Sequence, residues 1–354
     1  MAGDKVMVAM SGGVDSSVAA YLLKQQGYEV VGVTLQIWPG SEAPGGCCGW
    51  SAIDDARQVA ASLGIPHYVF NYRSIFEEQV VQYFCSEYLA GRTPNPCIAC
   101  NRAIKFGAML EQAGSLGMDY LATGHYVRVE RREADHRYLL LKGLDRRKDQ
   151  SYVLYNLTQP QLSRLVFPLG GLTKTEVRSI AAGLDLPVAG KPESQEICFI
   201  PDNDYGGFVA SRHPDAIRPG PIIDTDGAVI GQHRGIARYT IGQRRGMGVA
   251  AGSPRYVVSL DPETNTVVVG DESQVFSDSC TATDINLISI AGLTGEMEVE
   301  AKIRYAAPPT EVVISPGEGG TIEVRFKKPV RAITPGQAVV FYQGDVVVGG
   351  GTIK

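Results

Sequence analysis

No apolar run in this chain approaches the roughly 20 residues that a helical membrane span requires, so no membrane partner is expected. The N-terminus lacks the basic, apolar and small-residue succession of a secretory signal, because Asp4 and a strand pattern follow at once. A cytoplasmic location is the expectation. Excess positive charge is missing: Lys and Arg number 33 against 38 Asp and Glu, a net charge of −5. That excludes a uniformly basic nucleic-acid binder and leaves clustered basic residues as the route to RNA. Cysteine is scarce and odd in number, seven in 354 residues, which does not suit a secreted disulfide framework. In a reducing compartment such thiols are free, metal-bound or catalytic. No internal repeat or low-complexity tail is present.

What remains is an ordinary globular composition, 44% apolar and 20% charged, in a chain long enough for two or three domains. The first half alternates strand and helix patterns. Strands are expected at Val6–Met10, 30–37, 67–71 and 119–123, and helices at 51–63, 74–89 and 101–116, with a further helix after the first strand that presents Val18, Ala19, Leu22 and Leu23 on one face and ends at Gly27. That alternation predicts a mostly parallel sheet with helices on both faces, with ligands at the C-terminal strand ends. Residues 127–142 read as a hairpin, and further helices are expected near 158–166 and 173–183, the latter opening on a Thr173/Glu176 capping box. After about residue 205, glycine, proline and β-branched residues replace helical periodicity. The expected organisation is a catalytic α/β domain over 1–205, a small β-rich domain over 206–272 and a C-terminal β-barrel over 273–354.

Between the first strand and the first helix lies Ser11-Gly12-Gly13-Val14-Asp15-Ser16-Ser17. Glycines let backbone amides close on an anion, and serine hydroxyls and the helix N-terminus add donors. The Gly-Lys-Ser/Thr ending of the common nucleotide loop is absent, and the charge in its place is acidic, Asp15, a candidate Mg²⁺ ligand. The segment resembles the pyrophosphatase-loop (PP-loop) signature, whose members cleave ATP between the α- and β-phosphates and adenylate an acceptor.

Cys97 and Cys100 form a C-x-x-C approached by Pro94 and Pro96, with Cys100 expected at the start of a helix, where a thiol is more acidic. Redox pair, half a zinc site and cluster ligand are all open readings. There is no second C-x-x-C; Cys198 is the obvious third cysteine, and a four-thiolate site would also need Cys47, Cys48, Cys85 or Cys280. Cys85 reads as core, Cys280 has no context, and Cys47-Cys48 are ambiguous. His125 ends a strand on the ligand side. Basic clusters stand at 131–132, 146–148, 244–245 and 327–328.

The segments SGGVDSS at 11–17, AGRTPNPCIACNRAIKFG at 90–107, ATGHY at 122–126, KDQSY at 148–152, SQEICFI at 194–200, YTIGQRRGMG at 239–248 and TPGQAVVFY at 334–342 together resemble the tRNA-specific 2-thiouridylase family, over nearly the whole chain. The resemblance implies an adenine nucleotide alpha hydrolase-like catalytic domain. It implies replacement of O2 of the wobble uridine of tRNA by sulfur, with ATP and Mg²⁺ and a persulfide-delivering partner protein. By position, Ala9, Met10, Ser11, Gly12, Gly13, Val14, Asp15, Ser16, Leu35 and Gly124 would contact ATP. Cys100 would be the catalytic thiol and Cys198 the persulfide carrier. Asn95, Pro96 and Cys97 would flank the target base, and His125, Lys148, Asp149, Gln150, Arg304, Tyr305 and Gln337 would meet tRNA. The family pattern has Asp where this chain has Cys97. The exchange creates a three-cysteine set, Cys97, Cys100 and Cys198, that could hold a [4Fe–4S] cluster with one open iron. Two other classes compete: a PP-loop ligase or amidating synthetase acting on a small molecule, and a zinc- or redox-linked RNA-binding protein without catalysis.

Overall fold

Lys5–Ala9 (β1) and Glu29–Gln36 (β2) pair in parallel, joined by the helix Val14–Gln25 (α1). The computed structural model describes residues 3–38, 50–192, 197–200, 202–248 and 253–354. Trp50–Leu63 (α2) leads into His67–Asn71 (β3), which pairs parallel with β2. Two helices follow, residues 73–89 (α3) and 96–115 (α4), then Tyr120–Ala122 (β4), parallel to β1 on its other side. Val127–Arg131 (β5) and Tyr138–Lys142 (β6) form the expected antiparallel hairpin. Leu165–Val166 (β7) completes a parallel sheet in the order β3-β2-β1-β4-β7. Lys174–Gly183 (α5) carries the capping box: Glu176 N–H donates to Thr173 Oγ1 at 3.3 Å and Thr173 N–H to Glu176 Oε2 at 2.7 Å.

The sheet is buried on both faces, as a parallel sheet must be. Val6 and Val8 of β1 join α1, α2 and α5 in one cluster with Val18, Leu23, Ala56, Val59 and Val177. Met7, pointing the other way, is equally buried and lies outside that cluster, so the second face is covered too. Strand order reverses at β1, with β2 on one side and β4 on the other. The crevice beyond the C-terminal ends of β1 and β4 is therefore the topological switch point, where this class of sheet binds ligands.

Two sequence expectations change. The segment 158–166 is helical only over Gln159–Leu162, and its end becomes β7. The helix expected from residue 101 starts at Pro96. Proline fits the first helical position, where no N–H is needed. Cys97 therefore occupies the first turn, and Cys100 lies inside the helix, not at its N-terminus. Residues 101–108 of α4 wind as a π-helix, as do 77–82 of α3. Gly107 lies so close to the Arg102 carbonyl that an added Cβ would sit 2.8 Å from it.

The chain forms two compact units, residues 1–80, 97–203 and 345–348, and residues 81–96, 204–344 and 349–354. In the second unit, Tyr205–Arg212 (α6) precedes Gly220–Asp224 (β8), Val229–His233 (β9), Tyr256–Asp261 (β10) and Thr266–Gly270 (β11), a sheet in the order β10-β11-β8-β9. Its core holds Ile222, Tyr239, Val257, Val267 and Val269. Phe276–Leu287 (β12), Met297–Lys302 (β13), Thr310–Pro316 (β14), Ile322–Arg331 (β15), Ala338–Gln343 (β16) and Val346–Ile353 (β17) follow in the order β12-β15-β14-β13-β16-β17. β17 pairs back onto β12, from Ala282↔Ile353 to Leu287↔Gly349, and closes a six-stranded barrel. Cβ atoms on Gly349 and Gly351 would lie 2.3 and 2.5 Å from the carbonyls of Asn286 and Thr283. Glycine here marks a seam of close strands.

Candidate active site

The expected glycine loop lies at the switch point. Gly12 adopts φ +66°, and a Cβ there would fall 2.3 Å from the carbonyl oxygen of Ala52 in α2. Only glycine lets the loop lie flat on that helix. Ser11 N–H donates to Ser16 Oγ at 3.1 Å, and Ser17 Oγ donates to the Gly13 carbonyl at 2.8 Å. Gly13 caps α1 in an extended conformation, so the first-turn amides of a 12-residue helix open toward the loop. Gly124, just past β4, packs against the same turn. A Cβ on it would meet Asp15 C and Ser16 N, each at 2.8 Å. Ala9 ends β1, Met10 and Val14 are core, and Leu35 is buried near the end of β2.

Two cations reach this loop from far along the chain, and neither is evident from the local motif. Lys174 Nζ donates to both carboxylate oxygens of Asp15, at 2.7 and 2.8 Å, and Tyr126 Oη donates to Asp15 Oδ1 at 2.7 Å. Lys174 is buried at the first position of α5. A positive side chain there opposes the helix dipole, which is the one sequence signal that could have marked it. Lys191 Nζ donates to the Gly12 carbonyl at 3.1 Å and to Asp55 Oδ2 of α2 at 2.6 Å. Asp15, read from sequence as a free metal ligand, is therefore held by a lysine and a tyrosine. Its side chain retains 32% exposure, which leaves it open to a metal arriving with phosphate.

Cys100 and Cys198 both belong to the first unit and are partly buried, and Cys97 is exposed. Phe199 fixes the position beside Cys198: it stacks on Trp38 at 6.0 Å and meets Phe76 edge-on at 5.5 Å. Trp38 follows β2 by two residues, so the anchor lies at the ligand end of the sheet. Asn101, next to Cys100, is buried and donates to the Val153 carbonyl at 3.0 Å. Among the described residues no group of three or more His, Cys, Asp or Glu is arranged to hold a metal. Cys97, Cys100 and Cys198 are thus not gathered into such a group among the described residues. Cys97 is exposed in the first turn of α4, and Cys100 lies one turn later and partly buried. Cys85 is core, Cys280 is in β12 with burial and Glu323 pushing its thiol up to about 12, and Cys47 and Cys48 lie outside the described residues.

His125 is buried between Phe106 and Phe167 and pairs with Thr123 Oγ1 through Nδ1 at 2.7 Å. Burial, and then the nearby Lys105 charge, hold its pKa well below the usual imidazole value. Gln150 Oε1 accepts from Tyr126 N–H, and Asp149 accepts from Gly143 and Ser151 amides. Both brace the loop that presents Lys148. In the second unit, Gln337 Nε2 donates to the Thr93 carbonyl at 2.7 Å, two residues before Asn95 and three before Pro96. Arg304 donates to the Arg331 carbonyl, and Tyr305 is exposed with Lys302 over its ring. Several basic residues of the clusters are matched by acids: Arg132 by Asp135, Arg146 by Asp345, and Lys327 by Glu298 and Glu311. Among the described residues, no helix is long and apolar enough to cross a membrane.

A parallel sheet with an anion-binding glycine loop at its switch point defines an α/β nucleotide-binding domain. Residues 4–202 match the family model described as tRNA methyl transferase HUP domain. Residues 207–271 match the tRNA methyl transferase PRC-barrel domain, and 277–353 the aminomethyltransferase beta-barrel domain. A protein of Heliobacterium modesticaldum named tRNA-specific 2-thiouridylase MnmA is 59% identical over 99% of this chain and 92% of its own. Proteins of the same name from Acetivibrio thermocellus and Carboxydothermus hydrogenoformans are each 56% identical, over 100% of this chain and 100% of the relative, and 99% and 97%. The chain belongs to the tRNA-specific 2-thiouridylase family.

Proposed function

We propose that this chain is an ATP-dependent sulfurtransferase that converts the wobble uridine 34 of tRNA to 2-thiouridine. The supporting observation is the glycine loop on β1, with Cys100 and Cys198 in the same compact unit. The C2 carbonyl of uracil is a poor electrophile. Transfer of AMP to O2 turns that oxygen into a leaving group, and pyrophosphate departs into amides and cations assembled around residues 11–17. Lys174 supplies a fixed positive charge beside Asp15. Asp15 is the carboxylate that would hold Mg²⁺, and the ion would offset pyrophosphate charge.

In the sulfur step, a donor protein leaves a persulfide on Cys198. Its terminal sulfur attacks C2, and AMP leaves with O2. The Cys100 thiolate then attacks Sγ of Cys198. The bond from Sγ of Cys198 to the transferred sulfur breaks, its electron pair stays with that sulfur as the thiocarbonyl, and a Cys100–Cys198 disulfide forms. A thiol reductant restores both cysteines. The tRNA contacts assigned to Lys148, Arg304, Tyr305 and Gln337 belong to the same reading.

The test is a reaction of purified chain with ATP, tRNA transcript and a persulfide donor, scored for pyrophosphate and for 2-thiouridine by mass spectrometry. Thiouridine that requires both ATP and tRNA is expected. Pyrophosphate release without RNA would favour a small-molecule ligase, and tRNA binding without turnover would favour a binding protein.

A further inference from the structure

Lys191 stands outside the glycine loop in sequence, yet its ammonium bridges Gly12 O at 3.1 Å and Asp55 Oδ2 at 2.6 Å. Asp55 lies one turn along α2 from Ala52, whose backbone Gly12 rests upon. One face of the loop is therefore braced twice, by α2 directly and by the Asp55–Lys191 pair. The peptide between Gly12 and Gly13 is planar and trans, so its C=O and N–H point in opposite directions. Holding the carbonyl on the Lys191 side turns the Gly13 N–H to the other side. Gly13 is the N-cap of α1, so an amide turned that way would join the first-turn amides of the helix. A cation on the carbonyl also polarises the peptide and strengthens its N–H as a donor.

We propose that Lys191 is a positioning residue of the nucleotide loop, which aims the Gly13 amide at the departing pyrophosphate. Asp55 keeps the lysine in place. The proposal rests on the reading above that the loop takes nucleotide phosphate, and deepens it. The local motif has no lysine of its own; this one shapes the cradle from behind.

The experiment uses the full chain and inorganic pyrophosphate as the probe, so it does not depend on tRNA chemistry. Lys191→Met, Lys191→Arg and Asp55→Asn are compared with wild type by calorimetric titration, and the Gly13 amide resonance is followed in ligand-free protein. Loss of one charge-assisted contact is worth about tenfold or more in affinity. Lys191→Met is expected to weaken pyrophosphate binding by at least about tenfold and to shift the Gly13 resonance before any ligand is added. Lys191→Arg, which can still donate to both oxygens, recovers most of the affinity, and Asp55→Asn falls between. Pyrophosphate affinity and a Gly13 resonance unchanged in Lys191→Met would overturn the proposal, as would an arginine variant no better than methionine. Tight pyrophosphate binding that Lys191→Met weakens, in a chain that forms no thiouridine, would sustain the positioning role and defeat the sulfurtransferase reading. A wild-type chain that binds no pyrophosphate defeats both.

Discussion

Lys174 Nζ sits 2.7 Å from one carboxylate oxygen of Asp15 and 2.8 Å from the other, across 159 positions of sequence. The pair ties α1 to α5 beside the glycine loop, where the proposed reaction would release pyrophosphate. Lys174→Met removes the cation and leaves the carboxylate with the Tyr126 hydroxyl. A fall of about 10²–10³-fold in tRNA-dependent pyrophosphate release is expected, the range for loss of one fixed electrostatic partner. Asp15→Ala should abolish the same release. Pyrophosphate production within threefold of wild type in either variant would remove that residue from the chemistry.

Gly124 tests the loop sterically. In Gly124→Ala the new methyl would press on Asp15 C and Ser16 N at 2.8 Å, with only backbone to give way. Overpacking of this kind costs about 1–3 kcal/mol. Denaturant unfolding should register the loss of stability, and ATP titration a weaker complex. A variant as stable and as avid as wild type would mean that β4 and α1 are free to separate.

The cysteines divide by step. Cys198→Ser should keep tRNA-dependent pyrophosphate release and form no thiouridine. Cys100→Ser should stop after attack on C2, with Cys198 joined to the nucleobase through the transferred sulfur, visible as a protein–tRNA adduct that a thiol reductant releases. Cys97→Asp, the residue that the sequence resemblance implies at this position, should stay within about a hundredfold of wild type, the lower end of what a general acid or base supplies. Stoichiometric iron in protein purified without oxygen would contradict this assignment.

His125 gives a pH signature. Its pKa is depressed in the folded protein by burial first and Lys105 second. The unfolded chain therefore binds the extra proton as pH drops below about 6.5. Stability is fully present above that value and is lost at up to about 1.4 kcal/mol per pH unit below it. His67 is shifted the same way, by burial and then Arg57. Urea unfolding between pH 7 and 5 should show a shallower decline in His125→Gln than in wild type, with the His67 contribution remaining. Parallel slopes would mean that His125 charges without unfolding.

Lys148 is one of three basic residues, with Arg146 and Arg147, on the loop that Asp149 and Gln150 brace. Lys148→Gln should weaken tRNA binding and lower the slope of log affinity against log salt by about 0.7–0.9, one phosphate contact. Equal slopes across a salt series would place Lys148 off the RNA.

Much of this was readable in the residues. Periodicity located β1, α1, β2 and α2, and glycine spacing located the loop between β1 and α1, because those signals are local. Lys174 and Lys191 were not legible. Their significance lies in what they touch, and contacts over 159 and 179 positions leave no trace in a window of ten. The glycines of β17 are a different case: the sequence assigns them to the C-terminal barrel, and only the carbonyls of Asn286 and Thr283 opposite explain Gly349 and Gly351. Cys100 reads as a helix start because Pro94 and Pro96 stiffen the approach to it, although Pro96 itself begins the helix.

The wider winding of residues 101–108 sets the phase between the cysteine end of α4 and its buried end. Each residue of a regular helix turns the chain by about 100°. If the same residues returned to ordinary winding at unchanged length, Cys97 and Cys100 would swing by about a quarter turn or more relative to Met109 and Ala113, which are packed in the core. Winding and length are therefore tied in this stretch, and a relative wound as a plain α-helix here should be one residue shorter.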